Sequence, residues 1–272
     1  IPGFYGSLPN GAVKTFPRGG SDISGAVVAR GVGADLYENW TDVSGFLMAD
    51  PRIVPDPKPI EVITYRELRE LAYMGASVLH EEAIFPVREA GIPIRIKNTN
   101  APEDPGTLIV RDAPPITQTG AITGIAGRKD FTVIAIEKAL MNAEIGFGRR
   151  LLSILEANGI SFEHMPSGID TISLVIADSQ LNHKLEKVLE EIWQQCRPDS
   201  IEVYPNMALI ATVGRGMAYT PGIAGKLFGA LGQEGINVRM IDQGSSEINI
   251  IVGVDSRDFE RAVRAIYRAF VG

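Results

Sequence analysis

Apolar and polar positions follow two patterns along the first 112 residues. Residues 34–43, 92–98 and 107–110 have the short apolar runs of strands, whereas residues 65–75 and 78–91 have the spacing of amphipathic helices. Strands that alternate with helices favour parallel pairing, with helices on the faces of the sheet. The pattern therefore predicts an α/β fold with a mainly parallel sheet in αβα layers.

The second half of the chain repeats itself at a shift of 76 positions. Residues 133–136 fall on 209–212, and the apolar strand positions of 172–176 fall on 248–252. The apolar helix positions obey the same shift, with Phe147, Leu151 and Leu155 falling on Ile223, Leu227 and Leu231. Each unit is predicted as strand, helix, strand, strand and helix.

The two units differ in how their sheets are completed. The first unit continues into a strand at 201–204, but nothing follows the second after Gly272. Because an open sheet edge favours pairing with other chains, residues 122–127 are predicted to supply the missing edge strand. The predicted domains are residues 1–112, 113–205 and 206–272, with residues 120–130 as candidates to complete the last.

The composition is that of an ordinary globular protein. Of the 272 residues, 45% are hydrophobic and 22% are charged, and no apolar run approaches about 18 residues, so no membrane partner is expected. The net charge of −7 argues against nucleic acid as a partner. The single Cys196 predicts a reducing, cytoplasmic location, and the three histidines show no metal-ligand spacing. His164 and His183 are interpreted as surface or edge residues.

Residues 18–22, Arg-Gly-Gly-Ser-Asp, combine a cation, two glycines, a hydroxyl and a carboxylate before a helical pattern that starts at Ile23. Adjacent glycines let the backbone approach a ligand closely, and helix N-termini attract anions. The stretch is interpreted as an anion-binding loop with an acid beside it. An ordinary tight turn is an equal alternative.

Two further polar clusters follow this loop. Thr41 and Asp42 end a predicted strand, while residues 50–52, Asp-Pro-Arg, place an acid and a guanidinium in a turn. A nucleotide site needs cations for phosphates and carboxylates for magnesium or ribose. Turn formation explains residues 50–52 taken alone, but three such clusters within residues 18–52 favour a site.

Residues 141–148 and 214–222 form equivalent loops before the helix of each repeat unit. Thr220 is predicted as the N-cap of the second of these helices. Both loops can offer amides to the carboxylate of an amino acid, and Ser161 and Glu163 can meet its amine. Plain helix capping is the alternative.

In order and spacing, these motifs resemble the C-terminal half of the aspartate kinase catalytic domain, followed by that family's paired ACT regulatory modules. The stretches that carry the first resemblance are residues 16–22, 40–43, 49–52 and 74–80. Residues 146–150 and 162–170 are similar to the lysine-responsive branch found in Gram-positive bacteria. The resemblance covers essentially the whole chain. It implies an amino-acid-kinase fold followed by two ferredoxin-like βαββαβ modules.

The resemblance implies phosphorylation of the β-carboxylate of L-aspartate by ATP with Mg²⁺, the entry step to lysine, threonine and methionine. Arg18 would bind a substrate carboxylate and Asp22 would orient the substrate or its amine, so these two are the implied catalytic residues. Gly19, Gly20 and Ser21 would line the space between aspartate and the γ-phosphate.

The implied nucleotide-binding residues are Thr41, Asp42, Leu47, Arg52 and Ser77. Thr41 and Asp42 would hold the nucleotide, and Arg52 would lie near its phosphates. Two residues depart from the family pattern. Leu47 stands where Tyr is usual, which removes ring stacking, and Ser77 stands where Lys is usual, which removes a cation.

The implied effector is lysine, alone or with threonine, bound at an interface between two copies of the chain. A homodimer through the modules is therefore expected. The implied effector-binding residues are Met141, Glu144, Gly146, Phe147, Gly148, Ser161, Phe162, Glu163 and Ser167. Of these, Glu163 stands where Asp is common in the family.

The chain begins at Ile1 without a methionine, and the family's N-terminal phosphate-binding segment does not occur in it. We expect a fragment of a longer protein, which alone does not phosphorylate aspartate. A catalytically inactive, effector-binding regulatory module is the alternative function. Another amino-acid kinase, acting on glutamate or carbamate, is disfavoured because those relatives are not expected to carry paired modules.

Overall fold

A computed structural model describes residues 1, 3–16, 19–76, 84–113 and 121–272. The elements of the first half (residues 1–113) are β1 (Tyr5–Ser7), β2 (Val13–Thr15), α1 (Gly20–Val32), β3 (Tyr37–Thr41), β4 (Val62–Thr64), α2 (Tyr65–Tyr73), α3 (Phe85–Ala90), β5 (Ile94–Asn98) and β6 (Thr107–Val110). Those of the second half (residues 121–272) are β7 (Gly124–Glu137), α4 (Phe147–Ala157), β8 (Thr171–Ala177), α5 (Asp178–Leu181), α6 (Leu185–Cys196), β9 (Ser200–Val213), α7 (Ile223–Gln233), β10 (Met240–Asp242), β11 (Asn249–Asp255) and α8 (Phe259–Val271). Within these ranges, no helix combines the length and the apolar character that a membrane crossing needs.

A four-stranded sheet in the order β3-β5-β6-β4 organises the first half. Strand β3 is parallel to β5 and β4 is parallel to β6, which confirms the mainly parallel sheet. Strands β5 and β6 are antiparallel, because the loop at 99–106 turns the chain straight back without a crossover helix. Gly106 permits this turn, since its φ is 68° and a Cβ there would lie 1.8 Å from the carbonyl oxygen of Ile96.

Helix α1 begins at Gly20, three residues earlier than the sequence predicted. Its N-cap is Gly19, which has the left-handed φ of 65° that favours glycine. Ser21 and Asp22 therefore lie in the first helical turn and not in a loop before it.

The two repeat units share one five-stranded sheet in the order β10-β11-β9-β7-β8. Strands β7 and β9 have 14 residues each and pair along their length, with irregular register between Arg128 and Val133. The first module consists of the C-terminal part of β7, α4, residues 163–167, β8, α6 and the N-terminal part of β9. The second module consists of the C-terminal part of β9, α7, β10, β11, α8 and the N-terminal part of β7.

The predicted edge strand of the second unit is confirmed. Residues 124–127 pair antiparallel with residues 210–213, and the amide of Thr123 donates to the carbonyl of Val213 at 2.6 Å. The predicted domain boundary after residue 205 falls inside β9, because residues 201–204 continue through a bulge at Asn206 into the first strand of the second unit.

Side chains alternate between the two faces of this sheet, as the pleat requires. Ile134 packs in a cluster with residues of α4 and α6, and Ile210 packs in a cluster with residues of α7 and α8. On the opposite face, Leu209 and Ala211 belong to the core that contains Leu71 of α2. Helix α2 of the first half therefore lies against the sheet face that the module helices leave open.

The N-cap of α7 is Gly222 and not Thr220, so that prediction was wrong. Gly222 has a φ of 89°, and the equivalent N-cap of α4, Gly146, has a φ of 82°. The hydroxyl of Thr220 instead donates to the carbonyl of Gly216 at 2.8 Å, one turn earlier. Both units thus start their first helix from a left-handed glycine.

Candidate functional site

The first turn of α1 presents Gly20, Ser21 and Asp22 at a helix N-terminus, where backbone amides lack helical partners. Gly20 allows close packing, since a Cβ there would lie 3.0 Å from both Cα and the carbonyl oxygen of Phe4. Arg18, predicted to hold a substrate carboxylate, lies outside the described residues, and so does Ser77.

The carboxylate of Asp22 is oriented by strand β3. The side-chain amide of Asn39 donates to Oδ1 of Asp22 at 3.0 Å and also lies 3.2 Å from the hydroxyl of Tyr37. Burial raises the pKa of Tyr37, the Asn39 bond lowers it and the charge of Asp22 raises it, with a net increase. Gly25 leaves room for this ring, because a Cβ there would lie 2.4 Å from the Tyr37 hydroxyl.

The carboxyl ends of β3 and β5 meet at one edge of the first-half sheet, because the two strands are parallel. The hydroxyl of Thr41 donates to Oδ1 of Asp42 at 3.2 Å. The amide and the hydroxyl of Thr99 both donate to the carbonyl of Thr41, at 2.8 and 2.9 Å. Thr99 therefore fixes the end of β3 at which the nucleotide was predicted to bind.

A polar network extends this edge towards the loop at 99–106. The side-chain amide of Asn98 donates to the hydroxyl of Ser44 at 2.9 Å, and that hydroxyl donates to Oδ2 of Asp104 at 2.5 Å. The ammonium of Lys97 bonds to the carbonyl of Asp104 and lies 5.6 Å from the ring centre of Trp40. The edge thus carries a cation over an aromatic ring, which the sequence did not predict.

Arg52 and Leu47 lie on the segment between β3 and β4. Arg52 forms a bidentate pair with Asp50, with Nη2–Oδ2 at 2.7 Å and Nε–Oδ1 at 3.0 Å, and its side chain is 88% exposed. The hydrogen bond from Arg52 lowers the pKa of Asp50. Leu47 is 39% exposed. The same segment packs on the second module, where Ala49 is buried with residues of α8.

In the first module, the loop before α4 holds a charged cluster. Glu144 pairs with Lys138 at 2.5 Å and with Arg150, and the hydrogen bond from Lys138 is the main cause that lowers the pKa of Glu144. The Lys138 ammonium and the Arg150 guanidinium lie 5.4 and 5.9 Å from the ring centre of buried Phe147. Sequence reasoning proposed Glu144 and Phe147 but not the two cations.

Two of the other predicted effector residues, Glu163 and Ser167, lie along the edge of β8. Ser167 is paired opposite Ile172, and His164 next to Glu163 is paired opposite Val175. These two strand positions are about 10 Å apart. Two contacts join the two predicted segments. The amide of Asn142 donates to the carbonyl of Ile169 at 3.1 Å, and Met165 packs against the cluster that contains Met141 and Phe147.

Glu163 faces the first half, where its carboxylate accepts a hydrogen bond from the hydroxyl of Tyr73 at the end of α2. His164 was interpreted as a surface or edge residue. It lies at the edge, but its side chain is mostly buried and its Nδ1 lies 2.5 Å from Oδ2 of Asp242 in the second module.

Comparison with known proteins decides the family. The model of the amino acid kinase family matches residues 1–98, and that of the ACT domain matches residues 210–270. Aspartokinase 3 of Bacillus subtilis is 44% identical over 271 residues, which are 99% of this chain and 59% of that protein. The crystal structure of Clostridium acetobutylicum aspartate kinase is 68% identical with a TM-score of 0.94, over 99% of this chain and 62% of that one. This chain belongs to the aspartokinase family.

This chain spans less than two thirds of the length of these relatives. Escherichia coli aspartokinase III, solved in complex with aspartate and ADP, superposes on 98% of this chain and 59% of its own with a TM-score of 0.78 at 29% identity. A second structure of that enzyme contains lysine and aspartate. The family, the amino-acid-kinase fold and the ACT modules expected from the sequence are confirmed.

Several residues that contact the predicted site residues were not predicted from the sequence, namely Tyr37, Asn39, Lys97, Asn98, Thr99, Lys138 and Arg150. Tyr37 and Asn39 alternate on one face of β3, and Asn98 and Thr99 follow the apolar run of β5. Polar residues at strand ends were therefore available as a signal. Which of them reach Asp22 or Thr41 depends on the packing of distant segments.

Proposed function

We propose that this chain carries the aspartate-binding and nucleotide-binding residues of an aspartate kinase, which transfers a phosphoryl group from ATP to the β-carboxylate of L-aspartate. The observation that supports the proposal most is the likeness to aspartate kinases, which runs through the first half and both modules. The hydrogen bonds around Asp22 hold in place the carboxylate that we assign to substrate binding.

In this proposal, Asp22 receives the ammonium group of aspartate, and Asn39 holds its carboxylate in position. A negative side chain in the first turn of a helix interacts favourably with the helix dipole. Gly19, Gly20 and Ser21 line the space between aspartate and the γ-phosphate. Arg18, next to Gly19 in sequence, binds a substrate carboxylate, because a guanidinium matches a carboxylate in two hydrogen bonds.

The edge formed by β3 and β5 fits a nucleotide. Thr41 and Asp42 offer a hydroxyl and a carboxylate at the strand end, and Leu47 offers exposed apolar surface to a base. Arg52 uses one edge of its guanidinium for Asp50, and the edge away from Asp50 remains open to a phosphate. Bound ATP would supply the phosphoryl group that the β-carboxylate of aspartate accepts.

Magnesium fits as a companion of the phosphates. Among the described residues, no three His, Cys, Asp or Glu side chains come together in a way that could hold a metal. Mg²⁺ commonly binds through one or two carboxylates and the phosphates of its substrate. We assign this part to Asp42, which lies at the end of β3 beside Thr41.

The test is a hybrid enzyme, in which this chain is joined to the part of the Clostridium acetobutylicum enzyme that it does not cover. We expect formation of aspartyl phosphate that depends on ATP and Mg²⁺, measured by trapping with hydroxylamine. A folded hybrid that forms no acyl phosphate, or that prefers glutamate, would contradict the proposal. That the 272-residue chain alone is inactive stays a prediction, which the same assay checks.

We further propose that lysine binds to the first module between two copies of the chain. The loop that carries Glu144 (residues 141–148) is the part of the module proposed to hold it. Exposed apolar side chains surround that loop, with Leu140, Ile145 and Ile169 exposed by 74, 97 and 70%. Such a patch is typical of a surface that another protein covers, and a second copy of the first module would cover it. Threonine is the other candidate effector, and calorimetric titration with lysine and threonine, separately and together, distinguishes them.

Substitutions at the first-module loop should reduce lysine inhibition of the hybrid more than its activity. Gly146→Asp places a negative side chain where amides would meet the lysine carboxylate, and Ser161→Phe fills the space proposed for its amine. We expect the lysine concentration for half inhibition to rise at least about tenfold, which corresponds to about 1.4 kcal/mol, with less than a twofold change in kcat.

The repeat provides matched controls for this experiment. Gly222→Asp and Asn237→Phe change the equivalent positions of the second module, and Gly222 has the same left-handed backbone as Gly146. These controls should leave lysine inhibition unchanged. Equal loss of inhibition in both modules, or inhibition that survives Gly146→Asp and Ser161→Phe, would contradict the assignment.

We place the protein in a reducing, cytoplasmic compartment. Its one cysteine, Cys196, is buried and free, and burial raises the pKa of the thiol. A buried neutral thiol reacts slowly and serves as an apolar side chain.

A further inference from the structure

Helix α2 contacts both modules through residues spaced three apart. Glu67 bonds to Arg215, Glu70 accepts from the side-chain amide of Asn249 at 2.6 Å, and Tyr73 donates to Glu163. Residues three apart lie on one side of a helix. One side of α2 is therefore hydrogen-bonded to the regulatory half, while Leu68 and Leu71 are buried in the shared core.

Glu67 is the most enclosed of these residues, with a side chain that is 0% exposed. Its carboxylate accepts from the amide and the hydroxyl of Thr64 at 3.0 and 2.7 Å, which caps α2. It also accepts from the amide of Arg215 at 3.0 Å, from Nη1 of Arg215 at 2.9 Å and from the hydroxyl of Thr123. One carboxylate thus holds the start of α2 and the start of the second-module loop.

In the first module, the equivalent loop amide is hydrogen-bonded by a residue of that module itself. Ala139 is the equivalent of Arg215, and its amide donates to Oδ2 of Asp199 at 2.7 Å. Asp199 precedes β9 and its amide donates to Glu137, just as Thr123 precedes β7 and its amide donates to Val213. Thr123 therefore occupies in the second module the place that Asp199 occupies in the first.

A threonine at this place has no carboxylate to offer to the loop. Its hydroxyl is bonded instead to Glu67, whose carboxylate reaches the loop amide from α2. The second module is thus incomplete without the first half of the chain, whereas the first module closes its loop by itself.

We propose that Glu67 is a positioning residue. Through it, the first half of the chain holds the loop of the second module (residues 214–222) in its observed conformation. The loop keeps its conformation only while α2 is docked on the sheet, because undocking leaves the partly buried amide and the guanidinium of Arg215 without this carboxylate. Docking of α2 on the sheet and formation of this loop conformation then occur together, in a single equilibrium. Helix α2 directly follows β4, and the segment before β4 carries Leu47 and Arg52, so the loop is linked to the proposed nucleotide edge.

Hydrogen–deuterium exchange of the 272-residue chain tests this link. In Glu67→Gln we expect peptides that cover 65–73 and 214–222 both to exchange at least about tenfold faster, whereas the first-module loop at 139–146 is unchanged. The matched control, Asp199→Asn, should speed exchange at 139–146 and leave α2 unchanged. Glu67→Asp keeps the charge with a shorter reach and should produce a smaller, still joint change, which serves if Glu67→Gln does not fold.

The double variant Glu67→Gln/Thr123→Asp separates positioning from general destabilisation. The new carboxylate lies at the position equivalent to Asp199 of the first module. The loop should therefore return to slow hydrogen–deuterium exchange, while α2 continues to exchange fast. Unchanged loop exchange in folded Glu67→Gln, an open loop beside a fully protected α2, or a double variant that recovers neither or both would overturn the proposal.

Discussion

Replacing Glu67 by alanine is expected to lower the free energy of unfolding by about 3–5 kcal/mol, because it removes a fully buried carboxylate that pairs with the partly buried guanidinium of Arg215. The change also removes the capping box of α2 and the bond to Thr123. Urea unfolding of the 272-residue chain measures the effect.

Glu70→Ala is the matched control, because it makes the same change on the same helix but breaks one partly buried hydrogen bond to Asn249. Glu70→Ala should lower the free energy of unfolding by about 1 kcal/mol. Equal losses for both variants would mean that the enclosure of Glu67 has no energetic consequence.

The difference between wild type and Glu67→Ala should also depend on pH. Burial raises the pKa of Glu67, but hydrogen bonds from Thr123, Thr64 and Arg215 outweigh it, so the pKa in the folded state is lowered. The contribution of Glu67 is therefore fully present above the unfolded pKa of about 4.3 and is lost as pH falls through the folded value.

The second large effect is expected for Asp22→Asn in the hybrid enzyme. The asparagine keeps the shape but loses the charge proposed to hold the ammonium of aspartate, and it disturbs the bond from Asn39. Misplacement of a bound substrate by about 1 Å costs on the order of 10²-fold in rate. We expect kcat/KM for aspartate to fall by at least that factor, with little change in KM for ATP.

Asp42→Asn is the matched control at the nucleotide edge. It should raise KM for ATP and leave KM for aspartate nearly unchanged. If the two variants affected both substrates alike, the separation of the site into an aspartate end at α1 and a nucleotide end at β3 would be wrong.

Much of the fold could be predicted from local pattern. The spacing of apolar residues predicted the strands and helices. The repeat indicated that the second unit lacks an edge strand. Residues 122–127 were predicted to supply it, and residues 124–127 pair with β9. This prediction succeeded because side-chain alternation and strand count are properties of the sequence itself.

Helix starts and strand continuity were predicted less well. Gly19 and Gly222 start their helices from left-handed φ values, whereas the sequence suggested Ile23 as the start of α1 and Thr220 as the N-cap of α7. Strand β9 continues through the predicted boundary after residue 205, with a bulge at Asn206, whose φ is 59°. Propensity alone does not show whether a glycine caps a helix or a turn interrupts a strand.

The sequence by itself determined the family, the repeat and the residue types available for chemistry. The tertiary structure decided which of those residues meet. Asn39 orients Asp22 across 17 positions, Tyr73 reaches Glu163 across 90, and Glu67 reaches Arg215 across 148. Periodicity reports only which face a side chain occupies within its own element. The partner on that face depends on how distant elements pack, and for Glu67 this packing joins the first half of the chain to its second module.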